Sequence, residues 1–161
     1  MIRSSFVTAI VIACIALIVS PDASASRFKD LAPSADAQVA SGNPDDNSGS
    51  ATSFFVQSAD SSNSYGNERA WLRFDLDGQI PPGASISSAM LRIYAFQADS
   101  DDDLPVDVHG SSDDSWDESG ITWNSQPAFG AALTSGTLRS PRTYLWYEFD
   151  VTSFVQAEFA A

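Results

Sequence analysis

Apolar residues fall into three arrangements along this chain: one nearly continuous block, several alternating runs, and one short stretch at helical spacing. The block is Phe6–Val19, interrupted only by Thr8. Alternation is clearest in Ala70–Leu76, "AWLRFDL", where Leu72, Phe74 and Leu76 point one way and Trp71, Arg73 and Asp75 the other. It returns in Ile86–Phe96, "ISSAMLRIYAF": Ala89, Leu91, Ile93 and Ala95 share one face, and Met90, Arg92, Tyr94 and Phe96 the opposite one. Asp36–Ala40, Thr52–Gln57, Leu104–His109, Ala131–Leu138 and Thr143–Phe149 complete the predicted strands. In the last of these, Leu145, Tyr147 and Phe149 oppose Tyr144 and Trp146. A strand apolar on both faces is covered on both, or presents one to a ligand. Ser41–Ser50, Ser58–Asn67 and "DGQIPPGAS" are turn chemistry. Only "DVTSFVQAEF" predicts a helix, with Val151, Phe154, Val155 and Phe159 at helical spacing and Asp150 or Thr152 available as N-cap. Many short strands with turn-rich connections predict an all-β sandwich or barrel.

The apolar block has its own reading. Arg3 precedes it, and Ala23-Ser24-Ala25 follows Pro21. A charged start, an apolar run of about fourteen residues and an A-x-A site are the layout of a secretory signal peptide. The run is short for a membrane span, which needs roughly 20 residues. Residues 1–25 are therefore expected to leave, with Ser26 as the first mature residue. The protein is expected outside the cell or on its surface, with no membrane contact after cleavage. Val11-Ile12-Ala13-Cys14 has a loose likeness to a lipobox, but Ile15–Val19 stays apolar where a lipidated cysteine is followed by polar residues.

Cys14 is the only cysteine, so the mature chain is expected to hold no disulfide, thiol nucleophile or thiolate metal site. Its length, about 136 residues, is that of one domain with a sizeable core. The net charge of −13 is unchanged by cleavage, since Asp22 and Arg3 leave together. That balance argues against nucleic acid, which needs a basic footprint. One histidine, His109, and no nucleophile, zinc or phosphate-loop motif lower the odds of an enzyme.

Six ordered blocks carry a family likeness: "ADAQV" at Ala35–Val39, "NSG" at Asn47–Gly49, "RAWLRFDL" at Arg69–Leu76, "IPPGASISSAMLRIY" at Ile80–Tyr94, "SWDESGITWNSQP" at Ser115–Pro127 and "FDVTSFV" at Phe149–Val155. The most distinctive is W-x-E-x(3)-T-W-N-x-x-P. The chain resembles the DNRLRE-type domains, also described as carbohydrate-binding module family 96 and seen in disaggregatase-related proteins. The resemblance implies a secreted, jelly-roll-like β-sandwich appended to polysaccharide-active or surface proteins; with the helical spacing above, the expected fold is an antiparallel jelly-roll-like sandwich with one short C-terminal helix. It also implies further strands after the D-V-T block. The expectation is thus a domain over 26–161 that lacks its last strands and takes a donor strand or a C-terminal extension.

Three places have candidate chemistry. The first is the loop with Trp116 and Trp123, which is either a sugar platform or a plug whose indoles fill one end of the sandwich and whose Glu118 ties down backbone amides. The second is the outward face with Trp71, Arg73, Arg92 and Tyr94, which would lie side by side if their strands pair. Two guanidiniums and two rings suit an acidic glycan; the bland alternative is an ordinary ladder with Arg73 beside Asp75. The third is "ADSDDDLP", where Asp99, Asp101, Asp102 and Asp103 suit either a Ca²⁺ ion or plain solvent. His109 stands alone and is expected to be structural. The expected function is a non-catalytic module binding polysaccharide. The alternatives are an adhesion module binding protein and the N-terminal part of a larger lyase or hydrolase.

Overall fold

A computed structural model describes residues 6–9, 14–20, 27–58, 66–81, 83–99, 103–139 and 144–160. The elements in chain order are β1 (Phe6–Ala9), β2 (Cys14–Ser20), β3 (Arg27–Leu31), β4 (Ala35–Ala40), β5 (Phe54–Val56), β6 (Glu68–Arg73), β7 (Ser85–Ala95), β8 (Gln97–Asp99), β9 (Leu104–His109), β10 (Ala132–Leu138), β11 (Leu145–Asp150) and helix α1 (Thr152–Phe159). The chain is an all-β antiparallel sandwich. One layer is the four-stranded sheet β11-β7-β2-β3; β4-β6, β9-β10 and β5-β1-β8 form the smaller sheets.

The alternation in β7 does what its sequence dictates. Ala89, Leu91 and Ala95 are buried, and Ile93 packs against the main core beside them. Ile86 is also buried, although it lies three residues before Ala89. A bulge reconciles the two: Ile18 pairs with Ser88 but Val19 pairs with Ile86, so one residue of β7 is skipped. The skipped Ser87 donates its hydroxyl to the Ile18 carbonyl at 3.1 Å.

The main core gathers Ile15, Leu17, Val19, Leu31, Ile86, Leu91, Phe149 and Val155, with Leu72, Phe74, Val106 and Val108 packed against it. Those last four come from β6, the segment just after it, and β9, so these strands form the opposing layer. Residues 14–20, read from the sequence as part of a leader, lie in the middle of the four-stranded sheet, with Leu17 wholly buried. The expected cleavage positions Ala23–Ala25 fall outside the described residues.

β6 pairs with β4 and not with β7. The expected side-by-side arrangement of Trp71 and Arg73 with Arg92 and Tyr94 therefore does not form. Sequence periodicity sets which way a side chain points, but partner choice follows from how distant segments close the layers.

Helix α1 follows β11 and seals the edge of β7. Val151 N–H donates to the Ala89 carbonyl at 3.0 Å, Thr152 Oγ1 accepts the Ala89 amide at 3.0 Å, and Gln156 Nε2 donates to the Ile86 carbonyl at 2.7 Å. Val151 itself occupies the N-cap position, without a side-chain bond. Asp150, one residue earlier, accepts the Thr152 amide at 2.9 Å. The Thr152 hydroxyl first, and then this amide bond, hold its carboxyl below the usual range.

Candidate functional site

The tryptophan loop covers the outer face of β4–β6. In the register, Ala35 faces Arg73, Ala37 faces Trp71 and Val39 faces Arg69, so these six side chains share one face. Trp116 and Ile121 close over it, with Trp71 and Trp123 at the margin. Trp116 is 8% exposed and stands edge-on to Trp71, ring centroids 6.2 Å apart. An indole so placed is a wedge between loop and sheet.

Several polar groups around it hold the loop. Arg73 Nη1 donates to the carbonyls of Asp114 at 2.9 Å and Trp116 at 2.6 Å, and its guanidinium lies 5.4 Å from the Trp116 ring centroid. Glu118 accepts the Asp36 amide at 3.2 Å. Asn47 Nδ2 donates to the carbonyls of Glu118 at 2.9 Å and Ile121 at 2.7 Å. Gly49 is packed so closely against Glu118 that an added Cβ would sit 1.8 Å from its carbonyl oxygen. Thus the "NSG" block and the tryptophan block, about seventy residues apart, form one structural clasp.

Arg69 is likewise committed. Its Cζ lies 4.3 Å from the Trp123 ring centroid and 4.8 Å from that of Phe129, and its Nη1 donates to Gln126 Oε1 at 3.0 Å. Trp71 Nε1 reaches the same oxygen at 3.3 Å. Burial lowers the pKa of this guanidinium. His109 stacks edge-on against Phe129 and donates Nδ1–H to the Gly130 carbonyl at 2.9 Å.

The solvent face of β7–β11 is built differently. Tyr94 pairs with Trp146, and Arg92 pairs with Glu148, directly across the strands. The Tyr94 and Trp146 ring centroids are 5.2 Å apart at a 52° tilt. Trp146 is 42% exposed and Tyr144 next to it is 67% exposed. Arg92 Cζ lies 5.0 Å from the Trp146 ring centroid, and its Nε donates to Glu148 Oε1 at 3.1 Å. Among the described residues no further hydrogen bond engages its terminal nitrogens. Two rings, a guanidinium and a carboxylate thus share the outward face of one strand pair, with Trp146 and Glu148 exposed and Tyr94 and Arg92 half-buried beside them.

Of the sequence candidates, Trp71, Arg73 and Trp116 come together under the loop, and Arg92 and Tyr94 come together on the far sheet. Trp146 and Glu148 complete the second group and were not singled out as site residues. The signal was there: β11 has aromatic residues on both faces, and only Tyr147 and Phe149 pack inward. Of the acidic candidates, Asp99 ends β8, Asp103 is exposed just before β9, and Asp101 and Asp102 lie outside the described residues. Among the described residues, no three His, Cys, Asp or Glu side chains converge as a metal site.

An antiparallel sandwich with an aromatic strand pair exposed on one face offers a surface on which a ligand can lie. The chain belongs to carbohydrate-binding module family 96, whose model matches residues 27–161. Neither a curated protein nor a solved structure matches it.

Proposed function

We propose that this protein is an exported, non-catalytic module that holds a polysaccharide on the solvent face of β7–β11. The observation that carries the reading is the exposed Trp146 beside Tyr94, with the Arg92–Glu148 pair one step along the same two strands. Pyranose rings present C–H groups on one face and hydroxyls around the edge. The indole and phenol supply an apolar surface for the first. The guanidinium and carboxylate supply donors and acceptors for the second. Side chains in a row on the outward face of a strand pair suit an extended chain passing over them, not a small molecule enclosed in a cavity.

Export is supported by the leader-like pattern of residues 1–25. The non-catalytic reading is supported by the commitment of the two carboxylates on this face, Glu148 to the Arg92 ion pair and Asp150 to the Thr152 amide. Affinity electrophoresis through gels containing single polysaccharides tests the proposal. Retardation by at least one glycan is expected; free migration through every member of a broad neutral and acidic panel would contradict it.

A further inference from the structure

The central strand of the main sheet lies outside the family match. β2 ends at Ser20, and the match begins at Arg27. Yet β2 is bonded along both edges. It runs antiparallel to β7 from Cys14↔Arg92 to Ser20↔Ser85, and antiparallel to β3 from Ile15↔Leu31 to Val19↔Arg27. β3 has no other partner in that sheet. Ile15, Leu17 and Val19 all point into the main core, at 6%, 0% and 3% exposure.

If residues 1–25 are removed on export, a reading this inference rests on, the sheet loses its third strand from the middle. Two strand edges are left facing each other across a gap one strand wide, roughly 10 Å at the usual spacing of about 4.8 Å per strand. Unpaired buried N–H and C=O groups on both edges, with an apolar trough beneath, do not persist without a partner. Strand addition satisfies both needs at once, through main-chain bonds and side chains at alternate positions.

We propose that the β7–β3 gap is a strand-accepting site. Its occupant in the exported protein is an extended polypeptide segment, antiparallel to both neighbours, with uncharged side chains of Ile, Leu or Val size at three alternate positions. Residues 14–20 hold the place in the precursor. Their own chemistry defines what fits: Ile15, Leu17 and Val19 inward, with Ala16 and Ile18 half-exposed on the other face. Charge is excluded only at the inward three.

The test starts from the full chain, with a specific protease site inserted between Asp22 and Ala23. The folded chain is cut, the N-terminal piece is removed in urea, and the remainder is refolded with or without a synthetic peptide of residues 14–20 carrying Cys14→Ser and terminal lysines. Uncut chain taken through the same cycle is the reference. Saturable uptake of one peptide per chain is expected, with the thermal midpoint raised from that of the peptide-free remainder toward that of the uncut chain; full restoration is not expected, because Phe6–Ala9, the strand between β5 and β8, leaves with the same piece. A peptide with Ile15→Asp, Leu17→Asp and Val19→Asp should not bind. Refolding to the same midpoint without peptide would show that the gap closes by itself and overturn the proposal. So would a dimer forming in place of peptide uptake, or a failure of the peptide to bind or to raise the midpoint of the remainder under conditions in which the uncut chain refolds. N-terminal sequencing of material recovered outside the cell reports separately on export: a chain still beginning at Met1 sinks that reading, whatever the peptide does.

Discussion

Trp146 lies directly across the strand pair from Tyr94, ring centroids 5.2 Å apart, with Trp146 open to solvent. By contrast, Trp116 is closed beneath Arg73 and against Trp71. The two indoles thus have opposite work. One belongs to a surface and the other to the fold, although each stands near an arginine.

Arg73→Ala should therefore weaken the fold rather than ligand binding. Its two bonds to the loop carbonyls are charge-assisted, and losing such contacts costs about 1.5–3 kcal/mol. A urea-unfolding midpoint that falls while glycan affinity holds is the expected pair of results. Lost affinity with an unchanged midpoint would return Arg73 to the ligand surface.

Gly49→Ala tests the clasp from the other side. The new Cβ would meet the Glu118 carbonyl at 1.8 Å, and backbone on backbone has no soft partner to give way. Overpacking of this kind costs about 1–3 kcal/mol. The loss should appear as a lower thermal midpoint and as faster amide exchange in residues 116–124. Wild-type exchange there would mean that the two segments are not coupled.

Glu68 offers a pH test. It is 6% exposed and accepts Gln38 Nε2 at 2.7 Å; burial raises its carboxyl pKa above the ordinary 4.5, and the hydrogen bond only partly offsets this. The folded state then keeps its proton longer than the unfolded chain. Stability is lost as pH rises from about 4.5 through the raised folded value. Asp36, raised by burial and by the Glu118 charge, acts in the same direction from 3.8 upward. Asp113 and Asp117, lowered first by the hydroxyls of Ser115 and Ser119, act oppositely: their contribution is present above 3.8 and is lost as pH falls through their lowered values. Glu68→Gln keeps the acceptor and removes the buried charge. Unfolding measured from pH 4 to 7 should show a shallower decline in this variant, with equal or higher stability at pH 7. An unchanged slope would mean that Glu68 titrates normally.

The strands legible in the sequence were those whose period is local. β7 and β9 fall where alternation puts them, and Ala89, Leu91 and Phe149 point inward as their spacing requires. The pairing of β6 with β4 was not legible, because register partners far apart in sequence leave no local trace. β3 was missed for a different reason: "RFKDL" is short and charged, and its Phe28 is 81% exposed. Residues 14–20 were read only as leader, since a secretory core and a buried central strand share one composition. The clasp around Trp116 was half legible. The block stands out in the sequence, with Glu118 as a tie to backbone amides, but the place of Arg73 beneath it does not, because alternation says which face a residue takes, not what covers that face.

The most direct test of polysaccharide binding on β7–β11 is titration calorimetry of Trp146→Ala against wild type, using whichever glycan retards the protein in gels. Truncating a central aromatic contact costs about 2 kcal/mol or more, so affinity should fall roughly 30-fold or further, with the urea midpoint close to wild type because the ring is 42% exposed. Wild-type affinity in Trp146→Ala, with the glycan confirmed as a ligand, would place the binding surface elsewhere on the molecule.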